Sequence, residues 1–132
     1  MTSPTPRAID ITRVLCSLAE LENTGSRGFS VGGGDWPLHG FVVKTVKGIA
    51  AYLNYCPHAG HPLNFRPDRF LTPDRNLIMC ASHGALFTRD EGLCILGPCP
   101  GQRLTSIPVE VFGEFVLLAE AVDVDALANA PL

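Results

Sequence analysis

Two short stretches constrain this chain more than anything else in it: Cys56-Pro57-His58-Ala59-Gly60-His61-Pro62-Leu63-Asn64 and Cys80-Ala81-Ser82-His83-Gly84-Ala85. The pattern is C-x-H, an interval of 21 residues, then C-x-x-H. Each stretch brings one soft thiolate and one borderline imidazole together, with Gly60 and Gly84 just beyond to let the backbone bend tightly around a ligand. Between Asn54 and Ala85 the alternation of apolar and polar residues stops, and Pro, His, Cys, Asn and Gly take over. That is the composition of a functional loop region inserted into a framework of another kind.

The framework reads as strands. Short β-branched and aromatic runs, separated by Gly, Pro, Asn and Asp, cover Arg13 to Cys16, Gly28 to Val31, Gly40 to Val46, Ile49 to Asn54, Leu77 to Met79, Leu86 to Thr88, Leu93 to Ile95, Ser106 to Val111 and Phe115 to Ala119. Nine short strands imply an all-β sandwich or barrel. Val46-Lys47-Gly48 and Phe112-Gly113-Glu114 mark two antiparallel hairpins. Leu18 to Glu22 and Asp123 to Ala128 each have room for one helical turn. A length of 132 residues suits one domain. We place it over residues 13–119, between tails at 1–12 and 120–132.

Composition excludes several roles. Ten Lys and Arg against thirteen Asp and Glu leave a net charge of -3, which speaks against a nucleic-acid partner. No apolar run approaches the roughly 20 residues of a spanning helix, so no membrane association is expected. Arg7, Asp10 and Arg13 break any apolar core of a secretory signal, and the expected location is cytoplasmic. In that reducing setting the five cysteines, an odd number, read as metal ligands or buried apolar groups before disulfides.

Two metal readings compete for the Cys and His set: a tetrahedral zinc, or a two-iron, two-sulfide cluster with Cys on one iron and His on the other. Structural zinc sites commonly keep two to four residues between paired ligands, because both must fold back onto one ion. The single residue between Cys56 and His58 better suits ligands on two different irons.

On these residues the segment resembles the Rieske iron-sulfur family, whose two loops carry C-x-H and C-x-x-H, usually followed by Gly. The resemblance extends to Gly97-Pro98-Cys99-Pro100, similar to the family's proline loop over residues 97–101, and to Leu104 and Pro108 in the closing strands. It implies a Rieske-like antiparallel β-sandwich or barrel with an inserted cluster-binding subdomain of two loops, at about 55–88. It implies one [2Fe-2S] cluster, with Cys56 and Cys80 on the inner iron and His58 and His83 on the outer one. His61, Gly60, Gly84 and Pro98 would lie beside it. The interval from Ala59 to Met79 is longer than in many members; its excess, Phe65 to Asn76, is polar and Pro-bearing and is expected on the surface, where its arginines would be solvated or form a docking edge.

Two thiolates and two neutral imidazoles around a +2 core leave it near neutral, which raises the potential above that of four-thiolate clusters, into a range of roughly -150 to +300 mV. High-potential members place a hydrogen-bond donating Ser and Tyr after the second loop; here Ala85 and Phe87 stand there. Those members also join the two loops by a disulfide; His61 and Ser82 occupy the matching positions. The chain is therefore similar to low-potential soluble ferredoxins. That resemblance implies a one-electron carrier and not an enzyme, with an apolar docking rim of Pro57, Ala59, Pro62, Ala85 and Pro98. A flavoprotein reductase would be its donor and a terminal oxygenase its acceptor.

Two other roles have weaker support. A detached oxygenase domain lacks a catalytic iron site, since only His39 and His61 remain after the cluster ligands are assigned. A redox or iron sensor would use Cys94 and Cys99, which read more simply as buried or loop thiols. Cys16, within Val14-Leu15-Cys16, reads as core. Gly32-Gly33-Gly34 and Trp36 read as a surface turn.

Overall fold

The runs Phe41-Val42-Val43 and Ile49-Ala50-Ala51-Tyr52-Leu53 have no polar face, and the computed structural model shows why: the sheet they build is covered on both sides. The structure describes residues 13–31, 38–56, 62–64, 68–81, 84–97 and 101–119. In order, the elements are β1 (Val14–Ser17), α1 (Leu18–Thr24), β2 (Ser26–Val31), β3 (Leu38–Thr45), β4 (Gly48–Leu53), β5 (Leu77–Met79), β6 (Leu86–Thr88), β7 (Cys94–Leu96), β8 (Val109–Phe112) and β9 (Phe115–Leu118). They form three antiparallel three-stranded sheets, ordered β1-β9-β8, β2-β3-β4 and β5-β6-β7. The expected all-β fold is what the chain adopts.

The β2-β3-β4 sheet is the middle layer. Successive side chains of a strand point to opposite faces, so Val42, Ala51 and Leu53 pack one way, with Leu15, Leu21, Ile107, Val116 and Leu118. Phe41, Val43 and Tyr52 pack the other way, with Leu63, Ile78, Phe87, Leu104 and the cysteines Cys56 and Cys80. Both clusters are drawn from residues below one-tenth exposed. The first layer closes the framework; the second attaches the β5-β6-β7 subdomain to it.

The strand assignments hold with small shifts. Ser106 makes only an isolated bridge to Tyr52, and β8 starts at Val109, because Pro108 has no N–H with which to continue a ladder. Around that bridge Leu53 N donates to Thr105 O and Ile107 N to Ala51 O, both at 2.8 Å, stitching the middle sheet to the strand that enters β8. Leu93 bridges to Arg103, so β7 begins one residue later than expected. Both expected hairpins are present, with Thr45 opposite Gly48 and Phe112 opposite Phe115.

Helix α1 runs seven residues, longer than the single turn expected over Leu18–Glu22. A capping box opens it where expected, the Ser17 hydroxyl accepting from Glu20 N at 3.1 Å and Glu20 Oε1 from Ser17 N at 3.0 Å. The extra residues lie at the other end, where Gly25 at φ 78 closes the helix with its N–H on Leu21 O. The Glu20 carboxyl sits below its ordinary value through these bonds to Ser17. The Asp123–Ala128 turn and the Gly32-Gly33-Gly34 turn with Trp36 lie outside the described residues.

One surface expectation is overturned. Within Phe65–Asn76, Phe70 is only 1% exposed and its ring stacks on Phe41, centroids 4.3 Å apart and planes 7° apart. Asp68 Oδ1 accepts from Gly28 N at 2.8 Å, and Ser26 Oγ donates to Asp68 O at 2.7 Å, so the segment is pinned to the free edge of β2. Arg75, expected in solvent or at a docking edge, donates from Nη2 to Asn23 O at 2.8 Å. Residues 73–76 keep the exposed character expected of them.

Burial also sets an alkaline limit. Desolvation pushes the Cys16 thiol from 9.0 to about 11 and the Tyr52 phenol from 10.0 to about 12, with Glu20 adding to the first and Asp90 and Glu91 to the second. The unfolded chain gives up these protons first and so binds fewer protons than the folded chain, and stability falls as pH rises through this window. Urea midpoints are expected to drop from pH 9.0 to about 12, and Tyr52→Phe is expected to flatten the part of the fall above its ordinary value of 10.0. A flat profile in the native protein would refute this reading.

Candidate metal centre

The framework delivers two cysteines to one buried layer by two different routes. Cys56 follows β4 after the short linker Asn54-Tyr55; Tyr55 N donates to Leu53 O at 2.9 Å, a γ-turn that leads the chain off the sheet. Cys80 follows β5 directly and begins the tip of the β5-β6 hairpin, where Cys80 N donates to Ala85 O and Gly84 N to Cys80 O, each at 2.9 Å. Gly84 has φ 72, which lets the tip close so tightly, as expected for the glycine after the second pair. The strand leaving β7 covers this tip: a Cβ on Gly97 would stand 2.8 Å from Ala85 Cα.

Cys56 and Cys80 are both 0% exposed and share one buried cluster. Neither is in a disulfide. Two thiolates could not be sealed in so apolar a layer as bare charges. A +2 iron-sulfide core cancels them, so this donor set and burial fit such a core. Among the described residues no group of three or more His, Cys, Asp and Glu is gathered for a metal. The sequence-derived residues His58, His61, His83, Gly60 and Pro98 lie outside the described residues.

The other described thiols are placed differently. Cys94 is 3% exposed and belongs to the same layer, but it stands on β7, where its Sγ donates to Leu96 O at 3.5 Å. Cys16 packs in the opposite layer, as core. Cys99, its suggested sensor partner for Cys94, lies outside the described residues. His39 is exposed on β3, and its carbonyl accepts from Asn54 N at 3.0 Å.

The expected apolar rim needs one correction. Ala85 is 0% exposed, held under Gly97, and cannot form part of a docking surface. Pro62 is exposed, and Pro57, Ala59 and Pro98 lie outside the described residues. Sequence reasoning missed Tyr55, Ile95 and Leu96, which are 36%, 48% and 60% exposed beside Cys56 and at the end of β7. The signal for the last two was Ile95-Leu96 running straight into Gly97-Pro98.

A β-framework carrying two buried cysteines at the roots of two loops fits an iron-sulfur domain. The chain belongs to the Rieske [2Fe-2S] domain family, whose model matches residues 12–120. It is accordingly a Rieske-type electron-transfer protein with one [2Fe-2S] cluster. Solved structures agree in fold. The ferredoxin of carbazole 1,9a-dioxygenase from Nocardioides aromaticivorans superposes with a TM-score of 0.61 at 25% identity, over 81% of this chain and 94% of that one. One chain of a complex of reduced oxygenase and oxidized ferredoxin in carbazole 1,9a-dioxygenase gives 0.59 at 22%, over 80% and 99%. The terminal oxygenase of carbazole 1,9a-dioxygenase from Novosphingobium gives 0.63 at 18%, over 90% of this chain and 36% of that one. A comparison with curated protein sequences returned no match. Among the described residues no helix is long and apolar enough to cross a membrane.

Proposed function

We propose that this protein is a low-potential one-electron carrier, with Cys56 and Cys80 holding the buried iron and His58 and His83 the outer iron of the cluster. The observation that carries the assignment is that Cys56 and Cys80, at the roots of two loops, are both fully buried in one layer. The cluster supplies reversible one-electron chemistry. The chain's residues would hold it, with the fully buried Cys56 and Cys80 keeping their thiolates from water, and would set its potential. Gly84 shapes the second loop by its positive φ; Gly60, His61 and Pro98 complete the surround in this reading.

The low potential rests on Ala85 and Phe87, both fully buried in the layer that holds Cys56 and Cys80. Neither side chain donates a hydrogen bond, so the extra negative charge of the reduced cluster goes unstabilised there. The exposed apolar Tyr55, Ile95 and Leu96 suit brief, dry contacts with partners. The role as carrier, not enzyme, draws support from the carbazole dioxygenase ferredoxin, which this chain matches over nearly that whole protein. The complex of oxygenase and ferredoxin supports a terminal oxygenase as acceptor. A flavoprotein reductase as donor and a cytoplasmic location complete the proposal.

Potentiometry tests it. The purified protein is expected to be brown, to bleach with dithionite and to titrate below 0 mV, in the lower half of the roughly -150 to +300 mV range. Ala85→Ser is expected to raise the potential by about 60–130 mV, the one-electron equivalent of the ~1.5–3 kcal/mol of a hydrogen bond to a charged group. A native potential well above 0 mV would overturn the low-potential assignment.

A further inference from the structure

Among the described residues a short hydrogen-bonded bridge joins the two ligand loops, and its side-chain keystone is Asn54. This residue lies two positions before Cys56, at the end of β4. Its Oδ1 accepts from Leu63 N at 2.9 Å, and its Nδ2 donates to Asn64 Oδ1 at 2.9 Å. Both partners lie on the far side of the first loop, so one carboxamide closes that loop at its base. Leu63 passes the constraint on: its carbonyl accepts from Ala81 N at 2.8 Å, next to Cys80, while its side chain is fully buried beside both cysteines. Asn54 is itself anchored, its N–H donating to His39 O on β3 at 3.0 Å. An unbroken path therefore runs from the middle sheet through Asn54 and Leu63 to the second loop.

We propose that Asn54 is a positioning residue for the cluster: by locking Leu63 it sets the separation of the two loops and so the placement of the Cys56 and Cys80 thiolates. The proposal rests on the assignment of those cysteines as ligands. Groups that orient metal ligands from behind commonly cost about 10–100-fold in metal affinity when removed. Leucine at position 54 has similar bulk but neither hydrogen-bonding group. It would leave the Leu63 N–H without its acceptor and release the second loop. Aspartate keeps the acceptor for Leu63, and its other oxygen can accept from the Asn64 amide.

The test follows iron loss to an external chelator in the holoprotein, alongside amide exchange at Val42 and Val43 in β3. Asn54→Leu is expected to lose iron about 10–100-fold faster, with exchange in β3 unchanged, and Asn54→Asp to return close to the native rate. Asn64→Ala, which leaves the Leu63 bond in place, is expected to accelerate loss only about fivefold, the equivalent of ~1 kcal/mol, and serves if the leucine variant does not accumulate folded. Unchanged iron loss in these variants overturns the positioning role. So does acceleration matched by faster exchange in β3, which would make Asn54 a general prop of the fold. Native protein devoid of iron and acid-labile sulfide would instead overturn the ligand assignment, and this proposal with it.

Discussion

Replacing Cys56 or Cys80 by serine is expected to give colourless protein without acid-labile sulfide, whereas Cys16→Ala and Cys94→Ala retain the native iron and sulfide content. Burial cannot be the reason, because all four thiols are 5% exposed or less. The difference lies in where the backbone takes each one. Cys16 and Cys94 are strand residues, and their side chains are committed to packing by the pleat. Cys94 also spends its thiol on the Leu96 carbonyl. Cys56 and Cys80 stand where strands end and loops begin, so their sulfurs can meet a group held between the loops. A hydroxyl in place of either thiolate is a poor ligand for the iron of an iron-sulfide core, which favours soft donors. Iron and sulfide analysis of the four variants decides the matter. Loss of the cluster in Cys94→Ala together with its survival in Cys56→Ser would reverse the assignment.

The same contrast shows why parts of this molecule can be read from its residues and others cannot. Strands were legible because turns and β-branched runs alternate at short intervals, and the middle sheet was legible even without a polar face because its apolar runs are bounded by Gly, Lys and Asn. Spacing singled out Cys56 and Cys80, and the structure buries both where strands give way to loops. Helix α1 runs beyond the expected Leu18–Glu22 because its stop is Gly25, at φ 78, and not the end of an apolar period. The bridge through Asn54 left no trace of that kind: Asn54 and Leu63 are nine residues apart, and a side chain bonding a distant backbone N–H has no period. Exposed Ile95 and Leu96 look like ordinary strand residues, and only the Gly97-Pro98 that follows them marks them as standing at an end of the sheet. What periodicity and spacing encode was recoverable; what single long-range contacts encode was not.

Phe70 belongs to the second kind and carries the largest expected effect on stability. Among Arg66, Pro67, Asp68, Arg69 and Pro73 an isolated aromatic position suggests part of a solvated loop, as the whole Phe65–Asn76 segment does. Yet its ring lies parallel on Phe41 at 4.3 Å, and Phe41 in turn contacts Tyr52 at 5.8 Å between centroids. The backbone on either side is held as well, by Met79 N donating to Phe70 O at 2.9 Å and by the Leu71–Ile78 bridge. The surroundings therefore cannot collapse into the space an alanine would leave, and Phe70→Ala is expected to cost about 3–5 kcal/mol. That is a large share of the roughly 5–15 kcal/mol available to a domain. Arg69→Ala, one residue away and exposed, is expected to stay within about 0.5 kcal/mol. Because Phe70 shares its buried layer with Cys56 and Cys80, the cavity would loosen that layer, and iron loss to a chelator should quicken in the same variant. Urea unfolding of the two variants checks the first claim, and a loss below about 1 kcal/mol in Phe70→Ala, typical of surface changes, would return this segment to the status of an ordinary loop.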